Sequence, residues 1–396
     1  MKLFAQHGYG EGEKILNGLQ ANYIDGVIFS PRDISLQNLA SKLQEYKSRF
    51  PQKELFVDPQ YYTCLLGSHP NRNIGKLSEY QSQYFSFQTK NKLEIEKNII
   101  EILERAIDFQ HNLPISSIIA PNILIPRSFD SREAVIAKNF IRLAKTSYKS
   151  KENKKPLFCS LVISSDALRN IQELQEFLND ITLIDDPPGG YYIIIAFGSS
   201  DARAEIFNSD TISAWMLVNY SLKINEYEII NGYSDIISPF LSSVGTDACC
   251  TGWWSNLRNF SMERFTPSAA GGRLPIQRYL SVGLLNRITF YEYDTLKDRI
   301  KEIKNNLDSD SIFEEGEPER AREVLQSWEA LKVLNSLFSS TQLKTNIENL
   351  GRHIENAFTL YSNIISILPS LETKSNSDHL EPMRYALSRF SQITEI

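Results

Sequence analysis

The sequence predicts an α/β fold: a (β/α)8 barrel of the TIM type, followed by an all-helical C-terminal extension. Two observations favour the barrel. Short, β-rich apolar runs alternate with helical patterns eight times within roughly 250 residues, which is the chain order of a parallel barrel. The alternative, a doubly wound sheet, rarely needs eight consecutive units, and no G-x-G-x-x-G motif follows the first run.

The eight predicted strands are apolar runs that are each followed by a polar residue, Gly or Pro. They lie at 2–6, 26–29, 54–57, 116–120, 157–163, 191–197, 228–231 and 246–250. The sixth run, YYIIIAF, is apolar throughout, as expected of a strand that is buried on both faces.

Between these runs, apolar residues recur at every third or fourth position, which is the spacing of one helix face. The helices predicted in this way lie over 11–21, 93–109, 131–147, 166–178, 210–222 and 236–244, with a further helix between Leu36 and Tyr46. A strand followed by a helix is the repeating unit of the barrel.

The pattern changes after the eighth strand. We assign residues 1–305 to the barrel and 320–396 to the extension, with helices from 320, over 343–367 and over about 380–393. The segment between them, 306–319, contains DSDSIFEEGEPE, whose acidic residues, Gly and Pro predict a linker.

The composition is that of a globular protein, with 42% hydrophobic and 23% charged residues and a net charge of −6. It excludes a disordered or collagen-like chain, and four cysteines exclude a disulfide scaffold. No apolar run is long enough for a transmembrane helix, and no signal peptide is recognisable, so we expect a cytoplasmic protein without a membrane partner. The cysteines form no C-x-x-C pair, no metal site is predicted, and the sequence specifies no cofactor.

Residues that follow the strands of a barrel converge on one mouth, where barrel enzymes place their active sites. Two carboxylates are the catalytic candidates: Asp58, directly after the third strand, and Asp247, within the eighth. A carboxylate at such a site can act as a nucleophile or as a general acid or base. The alternative for each is a purely structural role.

Eight further strand-end residues are candidates for substrate binding. They are His7, Gln60, Asp201, Arg203, Asp235, Trp253, Trp254 and Arg258. Alternative roles remain open for several of them, because a lone His is often a hydrogen-bonded structural residue and Asp235 precedes a predicted helix that it could cap.

The loop after the eighth strand is rich in Arg and aromatic residues. Its arginines are Arg258, Arg264, Arg273 and Arg278, interleaved with Trp253, Trp254, Phe260 and Phe265. Arginines bind phosphate and aromatic rings stack on bases, so the loop predicts a phosphate-bearing small molecule or a nucleic acid as partner. The alternative is that the tryptophans plug the rim of the barrel against the helical extension.

Three sequence features stand in a recognisable order: GTD at 245–247, Arg258, and RYL at 278–280. In this order, and in the position of Asp58 before two tyrosines, the chain resembles the tRNA-guanine transglycosylase barrels. The resemblance implies base-exchange or N-glycosidic chemistry, with Asp58 and Asp247 as the carboxylates to test. The chain departs from that family because no Gly-Gly follows Asp58 and the zinc-binding C-x-C-x-x-C…His set is missing.

Three functions therefore remain open. The first is a barrel enzyme that acts on a nucleobase, a nucleotide or a nucleic acid through a carboxylate. The second is a noncatalytic barrel subunit that binds a protein partner through the loop after the eighth strand or through the helical extension. The third is a hydrolase that uses a pair of carboxylates or a metal ion.

Overall fold

The computed structural model describes residues 1–149, 151–267 and 276–396. At its centre, eight parallel strands form a nearly closed barrel, which confirms the predicted fold class. The strands of the described chain are β1 (Lys2–Gln6), β2 (Gly26–Phe29), β3 (Glu54–Val57), β4 (Ile118–Ala120), β5 (Leu124–Ile125), β6 (Leu157–Ser164), β7 (Gly190–Phe197), β8 (Glu228–Gly232), β9 (Ala248–Thr251), β10 (Phe260–Ser261), β11 (Arg278–Ser281) and β12 (Asn286–Thr289).

The barrel strands are hydrogen-bonded in the order β3-β2-β1-β9-β8-β7-β6-β4. Successive barrel strands therefore lie side by side, and the last of them, β9, pairs with the first, β1. The two ends of this order meet near Leu55 and Ser116. The Ser116 N–H donates to the Leu55 carbonyl oxygen at 2.8 Å, and the Leu55 N–H donates to Ser116 Oγ at 3.0 Å. The short strand β5 pairs with β6, and β10 pairs with β7.

Helices surround the barrel and form the C-terminal part of the chain. They are α1 (Lys14–Gln20), α2 (Leu36–Arg49), α3 (Lys90–Leu93), α4 (Glu96–His111), α5 (Arg132–Tyr148), α6 (Ile171–Thr182), α7 (Arg203–Ile206), α8 (Ser209–Ile224), α9 (Ser238–Ser243), α10 (Ser255–Arg258), α11 (Phe290–Leu296), α12 (Ser311–Glu314), α13 (Arg320–Ser336), α14 (Leu343–Ile367) and α15 (Leu380–Thr394). In the described ranges, no helix is both long and apolar enough to cross a membrane.

The core lies inside the barrel and between its strands and helices. All eight residues of β7 are buried, and so are seven of the eight residues of β6. A parallel strand with helices on one side and the barrel interior on the other has no solvent-facing side, which is why these runs are apolar throughout.

The extension packs along the barrel instead of standing apart from it. Helix α13 contacts α1 and α9, and α15 contacts α8. The ring of Trp328 on α13 lies against Gly18 of α1, where an added Cβ atom would come within 2.6 Å of the ring. Strands β11 and β12 form a separate antiparallel hairpin that packs against α13.

The acidic segment 306–319, which the sequence predicts to be a linker, is packed against the hairpin. Its short helix α12 carries Phe313, which is fully buried and makes an edge contact with Tyr279. The Tyr279 hydroxyl also donates to Asp310 at 2.8 Å. Within this acidic segment, Ile312 and Phe313 are apolar, and their burial attaches the segment to the fold.

Candidate functional site

The centre of the barrel mouth is filled by the loop that follows β9. Phe260 and Ser261 form β10 and pair with Ala196 and Phe197, at the end of β7 beyond the point where β8 stops. Phe260 and Phe265 are fully buried and make edge contacts with Tyr62. The loop does plug the mouth, but Phe260, Arg264 and Phe265 do so instead of the two tryptophans.

Arg264 holds this plug in place. Its guanidinium group donates to the Tyr233 hydroxyl at 2.8 Å and to Ser30 Oγ at 3.3 Å, and it forms an ion pair with Asp33. Burial alone would raise the pKa of Asp33, but the guanidinium groups of Arg264 and Arg32 outweigh it and hold that pKa below its ordinary value. A buried charge pair of this kind needs such additional hydrogen bonds to offset its desolvation.

Asp58 and Gln60 lie beneath the plug. The Asp58 carboxylate has no exposed surface and accepts hydrogen bonds from the Gln60 N–H and from the Tyr62 hydroxyl, both at 2.9 Å. Burial raises its pKa to about 6 despite these donors. The Gln60 side chain donates to Ser30 Oγ and accepts from the Arg32 N–H. The structure therefore places both residues in the packed interior of the mouth.

Asp247 lies at the opposite end of the barrel. Strand β9 begins at Ala248, so Asp247 precedes the strand and is level with the amino ends of its neighbours. Its carboxylate lies 2.7 and 2.9 Å from Lys223 Nζ and accepts from the Ile229 N–H at the start of β8. The expectation that Asp58 and Asp247 share one mouth is wrong, because Asp247 lies at the amino end of its strand, whereas the mouth forms at the carboxyl ends of the strands.

His7 follows β1 and is buried in a polar cluster in the wall of the mouth. Its Nε2 lies 3.3 Å from Glu11, which also accepts from the Tyr46 hydroxyl and the Lys42 ammonium. Burial would raise the pKa of Glu11, but these three donors outweigh it and lower the pKa to about 2. The described contacts of His7 Nε2 therefore belong to a cluster of protein side chains, whereas His7 Nδ1 is buried and has no partner among the described residues.

An open cavity of about 860 Å³ lies beside the plug, between the barrel mouth and the extension. Six of the ten predicted site residues line it: Asp201, Arg203, Asp235, Trp253, Trp254 and Arg258. Its described lining contains seven basic and four acidic side chains. The basic ones are Lys14, Arg203, Arg258, Arg278, Arg287, Arg320 and Lys374, and the acidic ones are Asp201, Asp235, Glu323 and Glu372. Arg273 lies outside the described residues.

Each of the four carboxylates is engaged by a basic neighbour. The pairs, with their closest N–O distances, are Asp201–Lys374 at 3.2 Å, Asp235–Arg287 at 2.6 Å, Glu323–Arg258 at 3.5 Å and Glu372–Arg278 at 2.5 Å. The basic side chains outnumber the acidic ones, so the lining carries a net positive charge.

Asp235 is the most strongly held of the four. The Arg287 guanidinium binds it through two nitrogens, at 2.6 and 2.8 Å, and the Thr251 hydroxyl donates to it at 2.6 Å. Burial would raise the pKa of Asp235, but Arg287 outweighs it and lowers that pKa. The carboxylate therefore stays ionised at neutral pH.

Arg203 forms no ion pair with any residue that the structure describes. One of its terminal nitrogens donates to the Asn376 carbonyl oxygen at 3.3 Å and to His379 Nδ1 at 3.1 Å, and its guanidinium lies 4.8 Å from the centroid of the Phe207 ring. Its Nε atom is buried and has no hydrogen-bond partner among the described residues. Burial lowers the pKa of Arg203.

Arg258 and Arg287 lie close to each other in the same wall. Burial and the neighbouring guanidinium of Arg287 both lower the pKa of Arg258. Arg287 is 9% exposed, and its Nε atom is also buried without a partner in the described part of the chain. The unused N–H donor of Arg287 is a group that can bind an oxygen of an anion.

The two tryptophans fix one side of the cavity. Both indole N–H groups donate to the Tyr9 carbonyl oxygen, at 3.0 and 3.1 Å, and so join the loop after β1 to the loop after β9. Trp253 is nearly buried, with the Lys14 ammonium 5.5 Å from its ring centroid, and Trp254 is half-buried. Both line the cavity.

Sequence reasoning did not select Arg287, Glu323, Glu372 or Lys374 as site residues. Arg287 could have been found from the hairpin pattern, because the alternation in RYLS and NRIT places Arg278 and Arg287 on one face and Tyr279 and Ile288 on the other. The acidic partners come from the extension, and no local pattern indicates where their helices dock.

Comparisons with protein-family models and with curated proteins find no match to this chain. Among the described residues, no group of three or more His, Cys, Asp or Glu side chains could hold a metal ion. The arrangement that remains is a basic, partly apolar cavity with four paired carboxylates, of which Asp235 lies closest to a strand end.

Proposed function

We propose that the cavity between the barrel mouth and the extension binds a phosphate-bearing ligand of nucleotide size. The observation that carries this proposal is the excess of basic over acidic side chains around the cavity, together with the buried Nε–H groups of Arg203 and Arg287, which have no partner among the described residues. Arginine binds phosphate oxygens through several N–H groups at once. A volume of about 860 Å³ is within the range of small-molecule sites.

Apolar and aromatic lining supports a nucleotide as the ligand. Trp254, Phe207 and Ile236 line the same cavity as the arginines. An aromatic or apolar surface beside phosphate-binding groups suits a base joined to a phosphate. The four free, buried cysteines fit a reducing compartment, so we propose a cytoplasmic location.

Asp235 is the lining carboxylate closest to a strand end, so we place any carboxylate chemistry on this ligand there. Asp58 lies under the plug and Asp247 at the far end of the barrel, so neither lines the cavity. Asp235 is ionised, as a nucleophile must be, but its oxygens accept three hydrogen bonds from Arg287 and Thr251. We therefore propose ligand binding as the function and place the base-exchange or N-glycosidic hypothesis on Asp235.

A second candidate is a noncatalytic barrel subunit. The filled mouth favours it, because Phe260, Arg264 and Phe265 occupy the space where a barrel enzyme holds its substrate. In that case the loop after β9 and the extension would contact a protein partner.

Calorimetric titration with ATP, AMP, inorganic phosphate and adenosine tests the proposal. We expect saturable binding of the phosphate compounds that weakens as salt increases, and weaker binding of adenosine.

Arg203→Met, which leaves no carboxylate unpaired, should lower the affinity for ATP by about tenfold. Arg384→Met, at an exposed arginine of α15 outside the cavity, is the matched control and should leave it unchanged. No saturable binding of any phosphate compound to the wild-type protein would refute the proposal, and together with a co-purifying protein partner it would favour the second candidate.

A further inference from the structure

We infer that Arg203 is the principal phosphate-binding group of the cavity and that His379, on the extension, is its positioning residue. This inference rests on the proposed function. It makes the ligand site a composite of the barrel and the extension, because Arg203 follows β7 whereas His379 immediately precedes α15.

The contacts of His379 determine which of its nitrogens carries the proton. Its Nε2 lies 3.2 Å from the Leu284 carbonyl oxygen, which can only accept, and its Nδ1 lies 3.1 Å from a terminal nitrogen of Arg203, which can only donate. The imidazole is therefore neutral, with a proton on Nε2 and a lone pair on Nδ1. Its complete burial, which lowers its pKa to about 3, supports the neutral form.

A neutral partner leaves the charge of Arg203 available. Elsewhere in the cavity a carboxylate faces each of three arginines, Arg258, Arg278 and Arg287, and neutralises much of its charge. Arg203 is oriented by an imidazole and by a backbone carbonyl oxygen, neither of which carries a negative charge. Fixing a cation without neutralising it suits a group whose counter-ion is the ligand.

The packing around Arg203 limits the directions in which its remaining donors can point. The guanidinium lies over the ring of Phe207, and that ring packs on His379 with centroids 5.3 Å apart. One terminal nitrogen is used by His379 and Asn376, whereas the buried Nε has no partner among the described residues. A phosphate oxygen that meets this N–H group after a small shift of the side chain on binding would supply the missing acceptor and offset the cost of burying it.

Two conservative variants distinguish the contact that His379 makes through Nδ1 from the contact that it makes through Nε2. In His379→Asn, the side-chain oxygen occupies nearly the position of Nδ1 and can still accept from Arg203. In His379→Gln, the amide reaches the position of Nε2, where it can donate to the Leu284 carbonyl, but the acceptor for Arg203 is lost. A purely structural role predicts that His379→Gln is the better replacement, whereas a positioning role predicts the opposite order of affinities.

The test measures the affinity of both variants for inorganic phosphate and ATP by calorimetry. We expect His379→Asn to retain most of the wild-type affinity and His379→Gln to lose about tenfold, which is the effect of one hydrogen bond to a charged group. In an Arg203→Met background, His379→Gln should have no further effect, because its role acts through Arg203. Equal affinities of the two single variants, or additive losses in the double variant, would overturn the inference while the proposed function stands.

A measurement on the wild-type protein covers the case in which the His379 variants do not fold. The NMR signal of the Arg203 Nε–H group, assigned by its loss in Arg203→Lys, should shift as inorganic phosphate is added. Phosphate binding without such a shift would overturn the role of Arg203. If the wild-type protein binds no phosphate compound, the proposed function itself fails.

Discussion

Asp58 provides a direct test of the sealed barrel mouth. Burial raises the pKa of this carboxyl from an ordinary value of 3.8 to about 6. One pKa unit corresponds to about 1.4 kcal/mol, so keeping Asp58 ionised in the folded protein costs about 3 kcal/mol at pH 7. Between the two pKa values the folded protein binds the proton more strongly than the unfolded chain. The contribution of Asp58 to stability is therefore present at low pH and is lost as the pH rises through 6.

Asp58→Asn removes this titration and nothing else that depends on pH. We expect the free energy of unfolding of the variant to gain about 2.4 kcal/mol relative to wild type between pH 4 and pH 7, with most of the change between pH 4 and 6. Urea unfolding followed by tryptophan fluorescence, in steps of about half a pH unit, gives the difference between the two proteins. Other titrating groups are common to both and cancel.

Tyr62→Phe is the companion variant. Asp58→Asn should remove the loss of stability with rising pH, whereas Tyr62→Phe should increase it. The Tyr62 hydroxyl donates to the ionised carboxylate at 2.9 Å, so its removal should raise the pKa of Asp58 further and steepen the pH dependence. If the wild-type and Asp58→Asn stabilities run parallel from pH 4 to 7, Asp58 is solvated. The claim that Phe260, Arg264 and Phe265 seal the mouth would then be refuted.

Two further predictions concern the attachment of the extension. Gly18→Ala places a Cβ atom 2.6 Å from the Trp328 ring and should lower stability by about 1–3 kcal/mol, whereas Gly351→Ala, in α14, meets no atom closer than 3.9 Å and should raise it by about 0.5–1 kcal/mol. Equal unfolding midpoints would contradict the docking of α13 on α1. The ring protons of His379 should show no NMR titration between pH 8 and 4.5, because burial lowers its pKa to about 3, and a midpoint near 6.5 would contradict that burial.

The fold could be predicted because its signals are local and repeated. Each barrel strand is an apolar run, and the seven helices predicted among the barrel strands are present with shifted ends. The helix predicted over 343–367 has those bounds in the structure. Packing of the acidic segment could not be predicted in this way, since it depends on Phe313 meeting Tyr279 across the hairpin.

The site could be predicted only in part, for a geometric reason. The strand-end rule brought Arg203, Asp235 and Arg258 to one cavity because it needs only the position of each strand end. It does not apply to Asp247, because that residue lies at the start of its strand and only residues after the carboxyl end of a strand reach the mouth. It could not pair Asp235 with Arg287, 52 residues further along the chain, because that contact exists only after the hairpin has docked.

The filled mouth explains why the open cavity lies to one side. Strand β10 extends the barrel wall beside β7, and Phe260, Arg264 and Phe265 fill the mouth. The remaining space is bounded by the loops after β7, β8 and β9. Barrel loops alone cannot enclose that space, so the hairpin and the segment before α15 supply the other walls, with Arg287 and Glu372 among them. The extension is therefore part of the site, and a barrel without it would lose the group that orients Arg203.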